Sequence, residues 1–459
     1  MFKTILIANR GEIAVTIIRA CREMGIRSVA VCSEADRTAL HTQLADECIC
    51  IGPAAARDSY LNPQAILTAC LISGAEAIHP GFGFLSENAA FARMCARCGV
   101  GFIGPTAEVI SLMGDKSTAR KTAQEAGVPV IPGSDDVVNT LADAMKAASS
   151  IGYPLMVKAS SGGGGRGMRL APDHDALPQA WQTARAESLA CFGDDRLYLE
   201  RFLEQPRHIE IQILADRHGH VIHLGDRDCS LQRRNQKIIE EAVSPFSDDA
   251  LRGSMGEAAV RLAARVGYEG AGTVEFLVDA DKRFYFMEMN TRIQVEHPVT
   301  EAVTGVNLIQ EQIRMAAGET LSWRQQDIRF QGHALECRIN AEDPSAGFRP
   351  CPGKITGLHL PGGPGVRIDS ALYHGAVIPP DYDSLIAKLI VHAPNREQAI
   401  ARMCRALMEF LISGVETNID YHLAILRQAA FISGQYDISY IKRHNEALLA
   451  ELSGPGKEA

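Results

Sequence analysis

The sequence lacks the features that mark membrane, secreted and nucleic-acid-binding proteins. No run of apolar residues approaches the length of a bilayer span. The first residues, MFKTILIANRGE, lack the apolar core of a signal peptide, because Arg10 and Glu12 come too early. Basic residues are not in excess, since 46 Lys and Arg against 55 Asp and Glu give a net charge of −9. We therefore expect a cytoplasmic chain with no membrane or nucleic-acid partner.

Cysteine motifs for metal binding or redox chemistry are incomplete. The chain has 12 Cys, most of them in apolar runs where a free Cys acts as a small hydrophobic residue. Cys95 and Cys98 form a CxxC, but no second pair follows at the spacing of a zinc ribbon. The pair lies on a helical pattern that ends at Gly99. We interpret these cysteines as packing residues.

The chain does have the composition of a globular protein with several domains. It has 459 residues, of which 46% are hydrophobic and 22% charged, and this length suggests about three domains or one elaborate enzyme. Strand and helix patterns alternate up to about residue 114, which predicts a parallel α/β unit. Two helices and a series of paired strands follow, and a helix is predicted over residues 396–414. The fold class is therefore α/β.

The glycine-rich segment SSGGGGRGM at residues 160–168 lacks the context of the common nucleotide-binding motifs. A strand pattern follows it where a Rossmann fingerprint requires a helix, and no Gly-Lys-Ser/Thr or DFG sequence is present. A glycine hairpin between two strands remains, with Lys158 just upstream. Bare backbone N–H groups beside a lysine favour polyphosphate binding, and a surface turn is the alternative.

The segment FYFMEMNTRIQVEH places polar residues at every second position. In an extended chain these side chains share one face; they are Glu288, Asn290, Arg292, Gln294 and Glu296. A hairpin that turns near Asp281 would put Glu275 opposite Glu288. Two carboxylates and an amide oxygen suit Mg²⁺, whereas Arg292 suits a small oxyanion and Glu296 a general base. The alternative, a solvated strand face, is disfavoured because the neighbouring residues are apolar.

Eight motifs along the chain resemble those of biotin carboxylase, an ATP-grasp family. They are IANRGEIA, HPGFGFLSEN, MGDK, KASSGGGGRGM, RHIEIQ, DRDCSLQRRNQK, EMNTRIQVEHPVTE and HALECRINAEDP. The resemblance implies an N-terminal parallel α/β domain over residues 1–114 and an ATP-grasp domain over 115–330. The grasp domain would carry a mobile glycine-rich lid at about 131–203, and a mixed α/β C-terminal domain would occupy 331–447.

Members of this family use ATP and bicarbonate to form carboxyphosphate and then carboxylate N1 of biotin on a carrier protein. The resemblance implies ATP-binding residues Lys116, Lys158, Gly164, Gly165, Met168, Glu200, Arg201, Phe202, Leu203, His208, Gln232, Asn235, Glu275, Leu277 and Glu288. Glu275, Glu288 and Asn290 would hold two Mg²⁺ ions, or Mn²⁺ in their place. Bicarbonate would bind Lys237, Arg292, Gln294 and the Val295 backbone.

The resemblance also implies the residues that act on the reacting groups. Glu296 would deprotonate bicarbonate, with Lys237 and Arg292 beside it. Arg338 would stabilise the enolate-like oxygen of biotin, close to Phe82. From the sequence alone, a structural ion pair of Arg338 with Glu336 or Glu342 is an open alternative.

Three positions depart from the family pattern. Phe82 stands where many members have Tyr, so a hydroxyl near biotin is lost. Asn235 stands where His is usual, which puts a contact with the nucleotide ribose in doubt, and Arg201 replaces a common Lys. We expect activity with altered nucleotide affinity.

No biotin-carrier segment is recognised in the chain. Ala-Met-Lys at 144–146 lacks the following Met of a biotinylation motif and lies on a helical pattern. We therefore expect separate biotin carboxyl carrier and carboxyltransferase subunits as partners, and a homodimer. The leading expectation is the biotin carboxylase subunit of acetyl-CoA carboxylase, in fatty acid synthesis. A pyruvate, propionyl-CoA or other acyl-CoA carboxylase is the alternative within the chemistry. An inactive ATP-grasp scaffold is the alternative of another class.

Overall fold

The computed structural model describes residues 1–134, 136–160 and 167–452. Gly164 and Gly165, implied as ATP-binding residues, lie outside the described residues. The first 114 residues form β1 (Thr4–Ile7), α1 (Gly11–Glu23), β2 (Arg27–Ser33), α2 (Leu40–Leu44), β3 (Glu47–Gly52), α3 (Pro63–Ser73), β4 (Ala77–His79), α4 (Ala89–Arg97), β5 (Gly101–Phe102) and α5 (Ala107–Gly114).

These five strands form one parallel sheet in the order β3-β2-β1-β4-β5. The central strand β1 is buried along its whole length because helices cover both faces of the sheet. This confirms the parallel α/β unit expected from the alternating patterns. Cys95 is buried on α4 and Cys98 is exposed just after it, and neither belongs to a potential metal-binding group among the described residues.

A smaller sheet follows in the chain. Its region contains α6 (Lys116–Glu125), α7 (Leu141–Ile151), β6 (Leu155–Ala159), β7 (Met168–Ala171), α8 (Leu177–Phe192) and β8 (Leu197–Arg201). The three strands pair antiparallel in the order β7-β6-β8, with Lys158 opposite Met168. The strands flanking the glycine-rich segment are therefore paired, as the sequence predicts.

The rest of the chain builds a large sheet and its surroundings. The next elements are β9 (Arg207–Ala215), β10 (Val221–Arg233), β11 (Gln236–Ala242), α9 (Asp249–Arg265), β12 (Gly270–Val278), β13 (Phe284–Asn290), α10 (His297–Thr304), α11 (Leu308–Ala316) and β14 (His333–Asn340). They are followed by β15 (Glu342–Asp343), β16 (Arg349–Pro350), β17 (Gly353–Lys354), β18 (Gly357–His359), β19 (Val366–Ser370), β20 (Val377–Ile378), β21 (Leu385–Ala393), α12 (Arg396–Glu409), β22 (Leu411–Ser413), α13 (Ile419–Leu426), α14 (Ala429–Ile432) and α15 (Tyr440–Leu452).

Eight antiparallel strands form the large sheet, in the order β13-β12-β9-β10-β11-β14-β21-β19. The pairing of β11 with β14 carries the sheet across residue 330, the boundary expected from the family resemblance. One face packs on apolar helices such as α9, with Ile209, Ile211 and Ile213 of β9 in that core. The opposite face is polar and carries the candidate site.

The helix predicted over 396–414 is shorter than expected. It ends at Glu409, and residues 411–413 form strand β22, in which Ile412 pairs with Leu358. The apolar pattern of this segment serves a strand as well as a helix, so the sequence does not reveal the change. No helix among the described residues is long and apolar enough to span a bilayer.

Candidate active site

A cavity of about 890 Å³ lies between the polar face of the large sheet, the three-stranded sheet and the loops after β1 and β4. It is lined by all of the described residues that the sequence proposes for the site. They are Phe82, Lys116, Lys158, Met168, Glu200, Arg201, Phe202, Leu203, His208, Gln232, Asn235, Lys237, Glu275, Leu277, Glu288, Asn290, Arg292, Gln294, Val295, Glu296 and Arg338.

A β-bulge brings the two predicted metal-binding carboxylates to the same face. Glu275 on β12 lies opposite Glu288 on β13, as the predicted hairpin requires. The register then shifts, so that Phe276 pairs with Phe286 and Met287 is the extra residue. Without this bulge Glu288 would share a face with Phe286, which belongs to the apolar core.

A second β-bulge delivers Lys237 to the cavity. Leu231 pairs with Ile239 and Gln232 with Lys237, which leaves Ile238 as the extra residue on β11. Leu231 and Ile239 face the core, so the shifted pair Gln232 and Lys237 faces the site. Strand alternation alone would have placed Lys237 in the core.

The segment after β13 is not extended as far as the sequence predicts. Strand β13 ends at Asn290, the chain turns over residues 291–296, and Glu296 precedes the first residue of α10. Pro298 near the start of α10 favours this helix start. Asn290 and Gln294 still converge, because both side-chain amides donate to Glu275 Oε1, at 2.9 and 2.7 Å.

Lys237 joins three carboxylates at the centre of the site. Its Nζ donates to Glu210 Oε2 at 2.6 Å, Glu275 Oε1 at 2.9 Å and Glu296 Oε1 at 2.6 Å. Burial would lower the pKa of Lys237, but these carboxylates outweigh it and raise that pKa well above its ordinary value. Lys237 is therefore a fixed positive charge.

Glu296 is held between two cations. Arg338 Nη2 donates to Glu296 Oε2 at 2.8 Å, on the side opposite Lys237. Burial would raise the pKa of Glu296, but Lys237 and then Arg338 outweigh it and lower that pKa. Glu296 is therefore ionised and can accept a proton from a group that enters between it and the cations.

Arg338 makes neither ion pair that was left open as an alternative. Its Nε donates to Glu240 Oε1 at 2.6 Å, rather than to Glu336 or Glu342. Its backbone carbonyl accepts hydrogen bonds from Asn418 Nδ2 at 2.9 Å and from His422 Nε2 at 2.8 Å. These contacts fix both ends of the residue and leave the guanidinium at the cavity wall.

Arg292 is oriented by the N-terminal region. Its Nε donates to Glu87 Oε2 at 2.8 Å, and its Nη2 donates to Asn290 Oδ1 at 3.1 Å. Glu87 lies in the HPGFGFLSEN segment, where no sequence pattern singles it out. This contact connects residues 205 positions apart in the chain.

The donor set for a divalent cation is present. Glu275 and Glu288 offer carboxylate oxygens and Asn290 an amide oxygen, the ligand types that Mg²⁺ prefers. Lys116 Nζ lies 3.6 Å from Glu288 Oε2, and His208 Nε2 lies 3.1 Å from Glu275 Oε2. These residues would therefore hold a magnesium ion, which would supply positive charge to phosphate groups bound beside it.

The other end of the cavity has the apolar and polar groups of a nucleotide pocket. Asp115 caps α6 by accepting from Thr118 N at 2.8 Å, which puts Lys116 at the helix start. Lys158 bonds Glu200, and His208 Nδ1 contacts Gln232 Nε2 at 2.9 Å. The chain leaving β8 lines the same end through Arg201, Phe202 and Leu203, and Met168 and Leu277 are apolar neighbours.

The three departures from the family pattern all line the cavity. Phe82 lies on a loop held by Asn9, whose Nδ2 donates to Phe82 O at 2.8 Å. Asn235 lies at the tip of the β10–β11 hairpin with φ 65°, a backbone conformation that Asn and His adopt more readily than most residues. Arg201 is exposed at the end of β8.

The sequence did not predict Arg227, a buried residue whose hydrogen bonds hold side chains of the site in place. Arg227 on β10 is fully buried and donates to Glu210 Oε1 at 2.5 Å and to Gln294 Oε1 at 3.3 Å. The alternation of His208, Glu210 and Gln212 with isoleucines in RHIEIQIL is the signal that could have shown a polar strand face.

Three family models match this chain. The family model described as "Biotin carboxylase, N-terminal domain" matches residues 1–110, and "Biotin carboxylase C-terminal domain" matches 336–443. Residues 115–324 match "Carbamoyl-phosphate synthase L chain, ATP binding domain". Together these models cover most of the chain.

Individual relatives match over nearly their full length. A biotin carboxylase of Nostoc sp. is 58% identical over 97% of this chain and 100% of its own length. One subunit of the pyruvate carboxylase of Methanothermobacter thermautotrophicus is 54% identical over 100% of this chain and 93% of its own. A comparable match is found among solved structures. The biotin carboxylase domain dimer of Hydrogenobacter thermophilus 2-oxoglutarate carboxylase, solved with MgADP, ADP and bicarbonate, has a TM-score of 0.93 and 49% identity over 98% of this chain and 99% of that chain.

The fold and these matches agree. The chain therefore belongs to the biotin carboxylase family of ATP-dependent ligases.

Proposed function

We propose that this chain uses ATP and bicarbonate to carboxylate N1 of biotin on a separate carrier protein, by way of carboxyphosphate. The observation that carries the proposal is the contact of Glu296 with both Lys237 and Arg338. The ionised Glu296 lies between Lys237, which is suited to bind bicarbonate, and Arg338, which is suited to bind the biotin oxygen. The relative from H. thermophilus, crystallised with MgADP and bicarbonate, supports the choice of substrates.

In this proposal the nucleotide occupies the end of the cavity between the two sheets. Lys116 and Lys158 contact its phosphates, and residues 200–203 bind the adenine. Asn235 and Gln232 lie toward the ribose. Because carboxyphosphate hydrolyses in water, a lid that excludes solvent favours transfer to biotin.

Glu275, Glu288 and Asn290 hold two Mg²⁺ or Mn²⁺ ions in this proposal. When bound, these ions neutralise the charge that develops on the transferring phosphoryl group. The chain's own cations contribute to the same neutralisation, because Lys237 keeps its charge among the carboxylates.

Bicarbonate binds Arg292, Lys237, Gln294 and the Val295 backbone, and Glu296 takes its proton. A planar guanidinium suits a planar oxyanion because it offers two parallel donors. Once deprotonated, bicarbonate attacks the γ-phosphate of ATP. The new O–P bond forms as the bond from the γ-phosphorus to the β-phosphate oxygen breaks, which gives carboxyphosphate and ADP. Entry of bicarbonate would weaken the contact between Lys237 and Glu296. Because Lys237 then stabilises the Glu296 carboxylate less, Glu296 becomes more basic at the step that removes the proton of bicarbonate.

Biotin binds at Arg338, beside the ring of Phe82. The ureido nitrogen of biotin is a poor nucleophile, so stabilisation of charge on the ureido oxygen helps most as N1 loses its proton. The carboxyl group of carboxyphosphate is transferred to N1 as its C–O bond breaks, and the released phosphate takes the proton of N1. Phe82 offers an apolar surface without a hydroxyl.

For the organisation of the protein, we propose domain boundaries at 1–114, 115–330 and 331–447, with the lid at about 131–203. We also propose a cytoplasmic homodimer with biotin carboxyl carrier and carboxyltransferase subunits as partners. Acetyl-CoA carboxylase is the proposed parent complex; the relatives at 58% and 54% identity are named biotin carboxylase, without a parent enzyme. The 54% identity with a pyruvate carboxylase subunit favours the pyruvate enzyme as the second candidate.

Steady-state assays test the activity. The protein should release ADP in a bicarbonate-dependent reaction that free biotin accelerates. The Glu296→Ala variant should not release ADP in this reaction. Assays with purified carriers from an acetyl-CoA carboxylase and a pyruvate carboxylase then test the parent complex. A higher kcat/KM with the acetyl-CoA carboxylase carrier is expected, and the reverse order would favour the pyruvate enzyme.

A further inference from the structure

Two buried glutamates lie directly opposite each other behind Arg338. Glu240 on β11 and Glu336 on β14 are cross-strand partners, so their side chains project from the same face of the sheet. Both are fully buried, and neither lines the cavity. Like charges in this arrangement repel each other strongly in a medium of low polarity.

The two carboxyl groups differ in their partners. Glu240 Oε1 accepts from Arg338 Nε at 2.6 Å, whereas Glu240 Oε2 has no hydrogen-bond partner. Both oxygens of Glu336 lack a partner. A buried carboxylate without a donor is costly, whereas a protonated carboxyl brings its own donor.

The cations near Glu336 already serve other carboxylates. Arg338 is shared by Glu240 and Glu296. Lys388 on β21 lies 3.0 Å from Glu12 Oε1 and 3.8 Å from Asp369 Oδ2. Among the described residues, no lysine, arginine or histidine lies within ion-pair distance of Glu336.

Several charged and titratable groups lie on the same side of the sheet as this pair. They are Lys237 on β11, Arg338 on β14, Lys388 and His392 on β21, Arg367 and Asp369 on β19, Glu12 on α1, and Glu296, His297 and Glu301 at α10. Arg367 bonds Glu301 and Asp369. Burial holds the pKa of His297 well below its ordinary value, so His297 adds no positive charge.

We propose that Glu240 and Glu336 form a positioning pair behind Arg338, in which Glu336 holds a proton and Glu240 stays a carboxylate that orients the Arg338 guanidinium toward the cavity. This inference rests on the proposed function, because the role of Arg338 toward biotin belongs to it. Burial raises the pKa of Glu336 well above its ordinary value, the charge of Lys388 opposes the rise, and Glu240 adds to it. Burial also raises the pKa of Glu240, to about 7, but the charge of Arg338 opposes that rise, so Glu240 is the more readily ionised of the two. Neither glutamate is a catalytic residue, since both act through Arg338.

Infrared difference spectroscopy at pH 7 tests the proton directly. The full-length protein should show a buried protonated-carboxyl C=O band that disappears in Glu336→Gln, a neutral replacement of nearly the same shape. Glu311→Gln is the matched control, because Glu311 is buried but bonded to its own cation, Arg314, at 2.6 Å. Spectra of wild type and Glu336→Gln that agree in this region would overturn the proposal.

The stability of Glu336→Gln gives a second measurement that needs no activity. When the pKa of a carboxyl group is higher in the folded protein than in the unfolded chain, the protein loses stability as the pH rises above the unfolded pKa. The reason is that the unfolded chain ionises the group more readily. The Tm of Glu336→Gln relative to wild type should therefore increase between pH 6 and pH 9. A constant difference in Tm across that range would contradict a protonated Glu336.

Kinetics test the positioning role. Glu240→Gln should raise the KM for free biotin about tenfold or more while the KM for ATP stays within twofold, and Glu240→Asp should restore part of the loss. Equal changes in both KM values would indicate a general structural role and overturn the positioning role. If wild type shows no biotin-dependent ADP release, the proposed function fails, whereas the infrared and Tm results still decide where the proton lies.

Discussion

Glu87 and Arg292 form a hydrogen-bonded ion pair between the loop after β4 and the turn after β13, with Arg292 Nε 2.8 Å from Glu87 Oε2. Glu87 also accepts from Thr291 N at 3.0 Å. Glu87 therefore accepts hydrogen bonds from both the Arg292 side chain and the Thr291 backbone. Through these contacts the N-terminal region orients Arg292, the arginine proposed to bind bicarbonate.

Replacement of Glu87 should therefore weaken bicarbonate binding. Glu87→Gln keeps the shape but removes the charge, and we expect the KM for bicarbonate to rise roughly fivefold, a modest change because the pair is partly exposed to solvent. The KM for ATP should not change. Glu108→Gln, at an exposed pair with Arg93, is the control. An unaltered bicarbonate KM in Glu87→Gln would refute this role.

Loss of the proposed base should stop turnover without loss of nucleotide binding. We expect Glu296→Ala to reduce kcat by at least about 100-fold, the usual contribution of a general base. The Kd for ATP, measured by calorimetry, should stay within twofold of wild type. Substantial turnover by this variant would show that another group takes the proton.

Lys237 should be required for both activity and stability. Lys237→Met would leave Glu210, Glu275 and Glu296 without their shared cation, and breaking a buried ion pair in this way costs about 3–5 kcal/mol. We expect a Tm several degrees below wild type and a kcat at least about 100-fold lower. Lys282→Met, which removes an exposed pair with Asp248, should leave both values close to wild type. A Lys237→Met protein with normal Tm would contradict this interpretation.

The departure at Asn235 should affect nucleotide affinity. Asn235→His restores the residue usual in the family and fits the left-handed backbone at this position, so we expect the KM for ATP to decrease. Arg234→His provides the comparison, because Arg234 has a similar backbone conformation but does not line the cavity. If Asn235→His leaves the ATP KM unchanged, the proposed ribose contact is wrong.

Glu241 should make stability depend on pH. It accepts from His333 Nε2 at 2.7 Å and from Arg396 Nε at 2.7 Å. Burial would raise the pKa of Glu241, but His333 and Arg396 outweigh it and lower the pKa from 4.5 to about 2. A lowered carboxyl pKa contributes stability above pH 4.5 that is lost as the pH falls toward 2, about 3 kcal/mol in all.

The measurement is the Tm of Glu241→Gln and wild type as a function of pH. The variant should be less stable at pH 7, and the difference should narrow as the pH decreases below 4.5. A difference that stays constant down to pH 3 would show that the charge of Glu241 does not stabilise the fold.

The sequence predicted the elements of the fold more reliably than their ends. The alternating patterns before residue 114 predicted the parallel sheet, and the Glu275–Glu288 pairing followed from one hairpin. The helix predicted over 396–414 was too long, because an apolar segment can continue from helix α12 into strand β22. Local pattern does not reveal where tertiary pairing interrupts a helix.

The sequence predicted residues that line the cavity, but it did not predict the bulges that turn Lys237 and Glu288 toward it. The bulges at Met287 and Ile238 reverse the direction of the side chains that follow, and nothing in the sequence marks either one. Glu87 was missed because Arg292 lies 205 positions away in the chain. Arg227 was missed because, besides Glu210 on the neighbouring strand, it bonds Thr273, Gln294 and Thr300, which are 46, 67 and 73 positions away. Long-range ion pairs of this kind become visible only when the sheets are assembled.

In the proposed reaction this chain couples ATP cleavage to carboxylation of biotin. The most direct test is the rate of ADP release by the purified protein with Mg²⁺ and bicarbonate, measured with and without free biotin. We expect release that depends on bicarbonate and increases on addition of biotin. A well-folded protein that binds ATP but releases ADP at a rate that biotin does not change would contradict the account.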